Sequence, residues 1–141
     1  MFNDSLTIYN YYRDSSNGNV EWYRTQLKGL MWTEKTQTSV SADRHINIAQ
    51  MVSVTIPLQK LTCDKEYISS VEWQNLDDKS AYWTVNTKGQ DVIVKGLIDK
   101  ELSQDYPSTN LKKDYESVAT VISFADNTSR DKLKHYRIGG K

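Results

Sequence analysis

Residues 46–58 read Ile-Asn-Ile-Ala-Gln-Met-Val-Ser-Val-Thr-Ile-Pro-Leu. The even-numbered positions of this stretch, apart from Gln50, are all aliphatic, whereas the odd-numbered positions are mostly small or polar. A period of two places alternate side chains on opposite faces of a β-strand. A helix would scatter the same aliphatic residues around its whole circumference, so the pattern predicts a strand with one buried face. Pro57 closes this strand or places its end at a sheet edge.

The chain before this strand is typical of a long, bent β-ribbon. Residues 7–12 are rich in β-forming side chains, and the turn that follows them contains Asn17-Gly18. This pair favours a tight hairpin because both residues tolerate positive φ. The next segment, residues 20–40, has apolar residues on one parity that give way to polar ones in the middle. A strand of this kind bends or bulges, and Gly29 is a natural bulge site.

The rest of the chain predicts shorter elements. Ser69 or Ser70 can cap a short helix, and Pro107 opens a helical turn. Further strands are predicted at residues 82–85, 91–96, 116–124 and 133–138, ahead of a Gly-Gly-Lys tail. The strand at 116–124 is apolar on both parities, which is typical of burial on both faces. We therefore predict a single, mainly-β domain over residues 1–141, a small antiparallel β-barrel or sandwich with one or two short helices.

Charge and composition exclude several classes of protein. Lys plus Arg and Asp plus Glu number 18 each, so the formal net charge is zero. A neutral chain is a poor candidate for free-standing nucleic-acid binding, which depends on neutralising phosphates. The start of the chain has no basic region followed by an apolar stretch, so we expect no signal peptide. No apolar run approaches the ~20 residues that cross a bilayer, and we expect a protein made in the cytoplasm without membrane contact.

Few residues could form a catalytic or metal site. His45 and His135 lie far apart in sequence, without the spacing of metal ligands. Cys63 is the only cysteine, so it has no internal disulfide partner. The acidic pair Asp77-Asp78 lies beside a lysine in a predicted turn, which is typical of a solvated loop. Gly139-Gly140 has no helix after it to present amides to a phosphate. We predict no catalytic residue, no cofactor and no metal, and a protein that is not an enzyme.

Two groups of residues are candidates for contacts with other molecules. Tyr and Trp number 9 and 4, and such side chains are common at subunit contacts. We therefore name Trp22 and Trp32, on the predicted ribbon, as candidate interface residues whose replacement by Ala should weaken assembly more than folding. The basic segment 130–141 offers candidate contacts with DNA or an acidic partner, at Arg130, Lys132, Lys134 and Arg137. The alternative is a charged edge strand that resists unwanted pairing.

Three stretches carry a resemblance over nearly the whole chain. They are LTIYNYY at 6–12 with WYR at 22–24 and Trp32, then YWTV at 82–85 with DVIVKG at 91–96, and finally VISFADN at 121–127 with LKHYRIGG at 133–140. In this order and spacing, they resemble an uncharacterised family of small proteins encoded among the head and neck genes of phages of Gram-positive bacteria. More loosely, the layout resembles head–tail joining proteins of the stopper or head-completion type.

This resemblance implies a virion protein without catalytic residues, a small β-barrel subunit of a ring between the portal assembly and the tail. Portal or adaptor proteins, tail proteins and other copies of the chain are then its partners, and DNA in the channel touches it transiently. Long loops of such proteins often dock or gate, and residues 35–44 and 60–69 are the candidates here. A tail terminator, a capsid accessory protein and a carbohydrate- or peptide-binding β-sandwich are the alternatives.

Overall fold

The computed structural model describes residues 2–40, 46–88, 90–129 and 132–141, with residues 37–40 and 46–50 described by their backbone pairing. This part of the chain is mainly β, as predicted, with two short helices. The elements in chain order are β1 Asp4–Arg13, β2 Val20–Val40, β3 Ile46–Pro57, β4 Glu66–Tyr67, α1 Ser70–Gln74, β5 Tyr82–Trp83, β6 Val92–Lys95, α2 Ser108–Asp114, β7 Val118–Asp126 and β8 His135–Gly140.

Six of the strands pair in a closed ring. The order is β1-β2-β3-β8-β7-β6, and every pair in the ring is antiparallel. Strands β4 and β5 pair separately, in parallel. Of the two architectures that the sequence left open, the protein therefore has the barrel. Closure of the ring leaves the barrel without an edge strand.

The barrel interior is filled by the alternating side chains that the sequence predicts for β3. Val52, Val54 and Ile56 are all buried there, and the strand ends at Pro57 as expected. The other strands of the ring supply the rest of this core, including Leu6, Ile8, Leu27, Leu30, Trp32, Ile93, Ala119, Val121, Tyr136 and Ile138.

A second core lies on the outer face of β1 and β6. Tyr9, Val92 and Val94 point away from the barrel interior and pack with Leu102 and Leu111 from the segment that carries α2. The Tyr9 hydroxyl donates a hydrogen bond of 2.6 Å to the carbonyl of Lys100, which ties that segment to the barrel. Residues 92–94 are therefore buried on both faces, which accounts for the unbroken apolar sequence of β6.

Gly29 forms the predicted bulge in β2. Asp4 pairs with Leu30 and Ser5 pairs with Lys28, so Gly29 is the extra residue. Its φ is +83°, and a Cβ at this position would lie 1.9 Å from the Lys60 carbonyl oxygen. Because of the bulge, Leu27 and Leu30 both reach the interior although they differ in parity. The polar residues at even-numbered positions before Gly29, which are Arg24, Gln26 and Lys28, lie on the outer face of the barrel.

A second irregularity corrects the prediction for β7. Its register shifts between Val121 and Ser123, and the inward face changes from Ala119 and Val121 to Phe124. Ile122 falls at the shift and is 44% exposed. The prediction of a strand buried on both faces is therefore wrong for the second half of β7. The apolar residues occur on both parities because the strand changes parity at a bulge.

The last strand lies two residues further along than predicted. Leu133 is 85% exposed with φ of +57°, outside β8, while Tyr136 and Ile138 point into the core. The two glycines expected in a tail belong to the strand. A Cβ on Gly140 would lie 2.8 Å from the Ala119 Cβ, and one on Gly139 would lie 2.1 Å from the Ser123 Oγ. Their missing side chains allow β7 and β8 to approach each other.

Both predicted helices are present. Ser69 caps α1, and its hydroxyl accepts a hydrogen bond of 3.3 Å from the Glu72 amide. This helix holds Trp73 fully buried. Helix α2 follows Pro107, as expected, and contributes Leu111 to the outer core.

Asp91, buried at the start of β6, joins three parts of the chain. Its carboxylate accepts hydrogen bonds from the Asn10 side chain at 2.9 Å and from the amides of Tyr11 at 2.8 Å and Asn86 at 3.0 Å. Burial raises the pKa of this carboxyl to about 6, against the lowering effect of these hydrogen bonds. The group therefore holds β1 and the segment after β5 against β6.

The bulge gives a prediction about stability. Gly29→Ala should lower the free energy of unfolding by about 3 kcal/mol or more, because a left-handed backbone and an overlap with the Lys60 carbonyl act together. Gly96→Ala is the matched control, since Gly96 has φ of +99° with nothing within 4 Å of a Cβ. Its cost should be only about 1–2 kcal/mol. Urea denaturation of both variants measures the difference, and equal losses would contradict the contact with Lys60.

Asp91 gives a prediction about pH. Its folded pKa of about 6 exceeds the ordinary value of 3.8, so the folded protein binds a proton between these values that the unfolded chain does not. The contribution of Asp91 to stability should therefore rise as the pH falls from 7 towards 4. Asp91→Asn should be less stable, since its amide NH₂ faces donors, and should lack this rise. Urea denaturation at pH 7 and pH 5 tests this, and equal pH slopes would refute it.

Candidate assembly surface

The β2–β3 ribbon extends beyond the barrel. Strand β8 pairs with β3 only as far as Val52, which lies opposite Glu34 of β2. Six further residue pairs, from Lys35↔Met51 to Val40↔Ile46, continue the two strands. Within the described part of the chain, no third strand pairs with them. At about 3.3 Å per residue, this ribbon projects roughly 20 Å from the barrel.

The ribbon leaves the barrel at a defined point. The Asp4 carboxylate accepts a hydrogen bond of 3.0 Å from the Trp32 amide, the last tether of β1 to β2. Beyond this hydrogen bond, the next inward-facing residue of β2 is the polar Glu34. Its carboxylate accepts a hydrogen bond of 3.1 Å from the Trp32 indole. Hydrogen bonds from Ser117 and Trp32 hold the pKa of Glu34 below its usual value. An ionised, hydrogen-bonded glutamate therefore marks the rim of the barrel.

The two tryptophans proposed as interface residues lie in different environments. Trp32 is only 6% exposed and belongs to the interior core. Trp22 is half-buried against the outer core, with its ring 5.2 Å from the Tyr11 ring in an edge-to-face arrangement. This placement corrects the prediction for Trp32, because a side chain packed inside its own barrel has little surface to offer a neighbour. Trp22 keeps a surface available for contact.

The basic residues near the end of the chain lie on the outside. Lys132, Lys134 and Arg137 are exposed, and Arg137 alternates with the inward-facing Tyr136 and Ile138 as the sequence indicates. Arg130, the fourth candidate, lies outside the described residues. The structure therefore brings Arg137 onto the barrel wall, next to β3, and leaves the two lysines in the turn before β8.

The predicted docking loops are largely ordered elements. Residues 35–40 belong to β2, where Thr residues favour strand structure, and residues 41–45 lie outside the described chain. In the segment 60–69, Thr62 bridges to Lys28, and Glu66–Tyr67 forms β4. Sequence reasoning missed Lys35 as a site residue by assigning it to a loop. Its place in a strand puts it on the face that Arg137 also shares.

An aromatic cluster closes the barrel where β6 is short. The Tyr67 ring lies 4.6 Å from the Tyr136 ring, 5.1 Å from Trp83 and 5.6 Å from Phe124. Burial raises the pKa of Tyr67 to about 12, so this phenol is neutral at physiological pH. A shallow groove of about 440 Å³ runs over the cluster beside Val71, which is 71% exposed. The cluster offers apolar contact without acid–base chemistry.

The residues considered for chemistry do not converge. Burial raises the pKa of the half-buried Cys63 thiol, which makes it a poor nucleophile at neutral pH. Both ring nitrogens of His135 have partners, Nδ1 at 2.6 Å from the Leu133 carbonyl and Nε2 at 3.2 Å from the Asn127 amide. His45 lies outside the described residues. Over residues 2–40, 46–88, 90–129 and 132–141, no three His, Cys, Asp or Glu side chains gather as a metal site. Neither helix in these ranges is long and apolar enough to span a membrane.

The tryptophans give a prediction that separates folding from contact. Trp32→Ala should lower the free energy of unfolding by about 3–5 kcal/mol because it leaves a cavity in the core. Trp22→Ala should cost only about 1–2 kcal/mol, since a half-buried ring loses part of its packing on the outer core and the contact with Tyr11. Urea denaturation of the two variants measures both values. A cost at Trp22 as large as that at Trp32 would contradict the environments described.

Comparison with known proteins places the chain in a family. No curated protein and no solved structure matches it. The model of a family of unknown function, DUF6751, matches residues 1–141, the whole sequence. The chain therefore belongs to the DUF6751 family.

Proposed function

We propose that the chain is a structural virion protein of a tailed bacteriophage, a ring-forming head–tail connector subunit of the stopper or head-completion type. The resemblance of residues 6–32, 82–96 and 121–140 to phage head and neck proteins suggests this role. The ribbon that extends six residue pairs beyond the closed barrel is the observation that carries it.

A ribbon of this kind needs a partner. Two antiparallel strands in water are marginally stable by themselves and usually require a third strand or a packing surface. Permanent subunit interfaces commonly bury more than ~2,000 Å², and a projection of roughly 20 Å gives a neighbouring subunit such a surface. We infer that the ribbon lies against the next copy in the ring.

The closed barrel directs assembly to this ribbon. Within the barrel of one subunit, each strand has a neighbouring strand on both sides, so another chain cannot readily add to the barrel by strand pairing. The backbone of residues 35–40 and 46–51 has an unpaired edge on each side among the described strands. If the ribbon of each subunit contacts a different surface of the next subunit, the contact is head-to-tail. Head-to-tail contacts form a closed ring when the rotations between successive subunits add up to a full turn.

The proposed partners follow from this position. Portal or adaptor proteins lie on one side of the ring and tail proteins on the other, and the protein is located in the virion. Lys132, Lys134 and Arg137 are exposed cations that can touch DNA in the channel transiently. Such contacts would be weak because so few phosphates are neutralised.

Shortening the ribbon tests the proposal. Replacing residues 37–49 by Asn-Gly joins the paired residues Thr36 and Gln50 through a two-residue hairpin turn. The barrel should keep its midpoint of thermal unfolding to within a few degrees, because its core is untouched. The shortened chain should no longer join multi-copy complexes with portal and tail subunits, as measured by mass in solution.

The control for this experiment is Val71→Ser, which removes an exposed apolar side chain outside the ribbon. This variant should assemble like the unaltered chain. Assembly of the shortened chain would reject the ribbon as the contact. An unaltered chain that stays monomeric with every virion partner, but is retained on a glycan column, would reject the connector role.

A further inference from the structure

A groove of about 380 Å³ runs over the outer face of the barrel at the base of the ribbon. It spans strands β2, β3, β8 and β7, and we call it the ribbon-base groove. Outward-facing residues that line it include Lys35, Met51, Ser53, Ser123 and Arg137, with Gly139 of β8 between β3 and β7.

The floor of the groove is unusually low. Ser53 pairs with Gly139, which pairs in turn with Ser123, so three adjacent strands present a hydrogen or a small hydroxyl-bearing side chain in one row. Ala125, two residues further along β7 and opposite Arg137, adds another small side chain to the groove. Small side chains let the backbone of a ligand approach the sheet closely. The groove therefore has the shape to accept an extended chain.

Two exposed cations flank this floor, one beyond its Ser53 end and the other beside Gly139 on the middle strand. Lys35 lies on β2 opposite Met51 of β3, and Arg137 lies on β8 opposite Thr55 of β3. From the spacing of strands and residues, their Cα atoms are roughly 16 Å apart. The Arg137 Nε makes one long hydrogen bond, 3.4 Å to the Ser53 Oγ. Among the described residues, ion pairs within 4.0 Å involve Arg24 with Asp99 and Glu101, and neither groove cation has one.

The walls favour a peptide over a nucleic acid. The Met51 side chain gives the groove apolar surface beside its charges, which suits peptide side chains. Two cations would release only about two counterions from DNA, too few for appreciable binding at physiological salt. An arginine guanidinium presents five donors that match a carboxylate, and a lysine adds a second positive charge.

We propose that the ribbon-base groove binds an extended, acidic peptide segment of an adjacent protein subunit. Carboxylates of this segment pair with Lys35 and Arg137, while its backbone crosses the sheet diagonally over Ser53 and beside Gly139. An extended chain advances about 3.3 Å per residue, so acidic residues four positions apart, about 13 Å, lie within reach of two long cationic side chains whose Cα atoms are roughly 16 Å apart. This inference rests on the proposed function for the identity of the neighbour, but the groove binds such a peptide whether or not a ring forms.

Fluorescence anisotropy with labelled peptides tests the proposal. The probe is a nine-residue peptide of alternating Glu and Thr, and its comparison has Gln in place of Glu. The full-length protein should bind the Glu peptide, and the double variant Lys35→Gln, Arg137→Gln should bind it at least fivefold more weakly. The matched control is Lys112→Gln, Lys113→Gln, which removes the same charge from the exposed end of α2. This control should bind like the unaltered protein.

Three results would overturn the inference: no binding of the Glu peptide, equal weakening by the two double variants, or tighter binding of a duplex DNA of nine base pairs through the same cations. Measuring the mass in solution of the same samples mixed with virion partners distinguishes the connector role from peptide binding by the groove. If the chain binds the peptide but never assembles, the connector role alone is rejected. If the chain assembles but does not bind the peptide, peptide binding by the groove alone is rejected.

Discussion

The contact between Gly29 and the Lys60 carbonyl oxygen is the constraint on which the barrel depends. With φ of +83° and no room for a Cβ, this residue lets β2 insert an extra position and exchange its two faces. Leu27 on one side of it and Leu30 on the other can then both enter the interior. Before the exchange, Arg24 and Gln26 face outwards, where both donate hydrogen bonds to the Ile98 carbonyl. One strand therefore supplies the interior core on both sides of Gly29 and also holds the segment that covers the outer core.

The same exchange determines where the ribbon begins. After Gly29, the inward parity runs through Leu30 and Trp32 to Glu34, and the rim of the barrel falls at that glutamate. A strand of 21 residues is longer than the barrel wall requires, so its remaining residues continue with β3 as a two-stranded projection. The second bulge, at Ile122, turns Phe124 inwards and Ser123 outwards over Gly139. The low floor of the ribbon-base groove is thus a product of the register change in β7.

Much of the fold could be predicted from local pattern. The alternation in residues 46–58, the hairpin between β1 and β2, the Gly29 bulge and the Ser69 cap all depend on residues close together in sequence. The hairpin loop is longer than the tight turn expected, since it spans residues 14–19, and of the Asn17-Gly18 pair only Gly18 has a positive φ. The parity of β7 could not be predicted, because a bulge without glycine leaves no local signal and its position is set by pairing with β8. The burial of Trp32 was missed for a similar reason, since parity beyond Gly29 depends on which face the bulge turns inwards. The groove was missed because its lining comes from four strands that only the barrel topology brings together.

The continuity of β2 also has a mechanical consequence. The strand that forms the ribbon is the same one that forms the barrel wall, with one ladder to β1 and another to β3. Interstrand hydrogen bonds in an antiparallel pair lie perpendicular to the strands. A pull along the ribbon would load many of these bonds in shear at the same moment, rather than opening them one after another. Tension applied at the tip would therefore spread through the whole wall, and the barrel would yield as a unit.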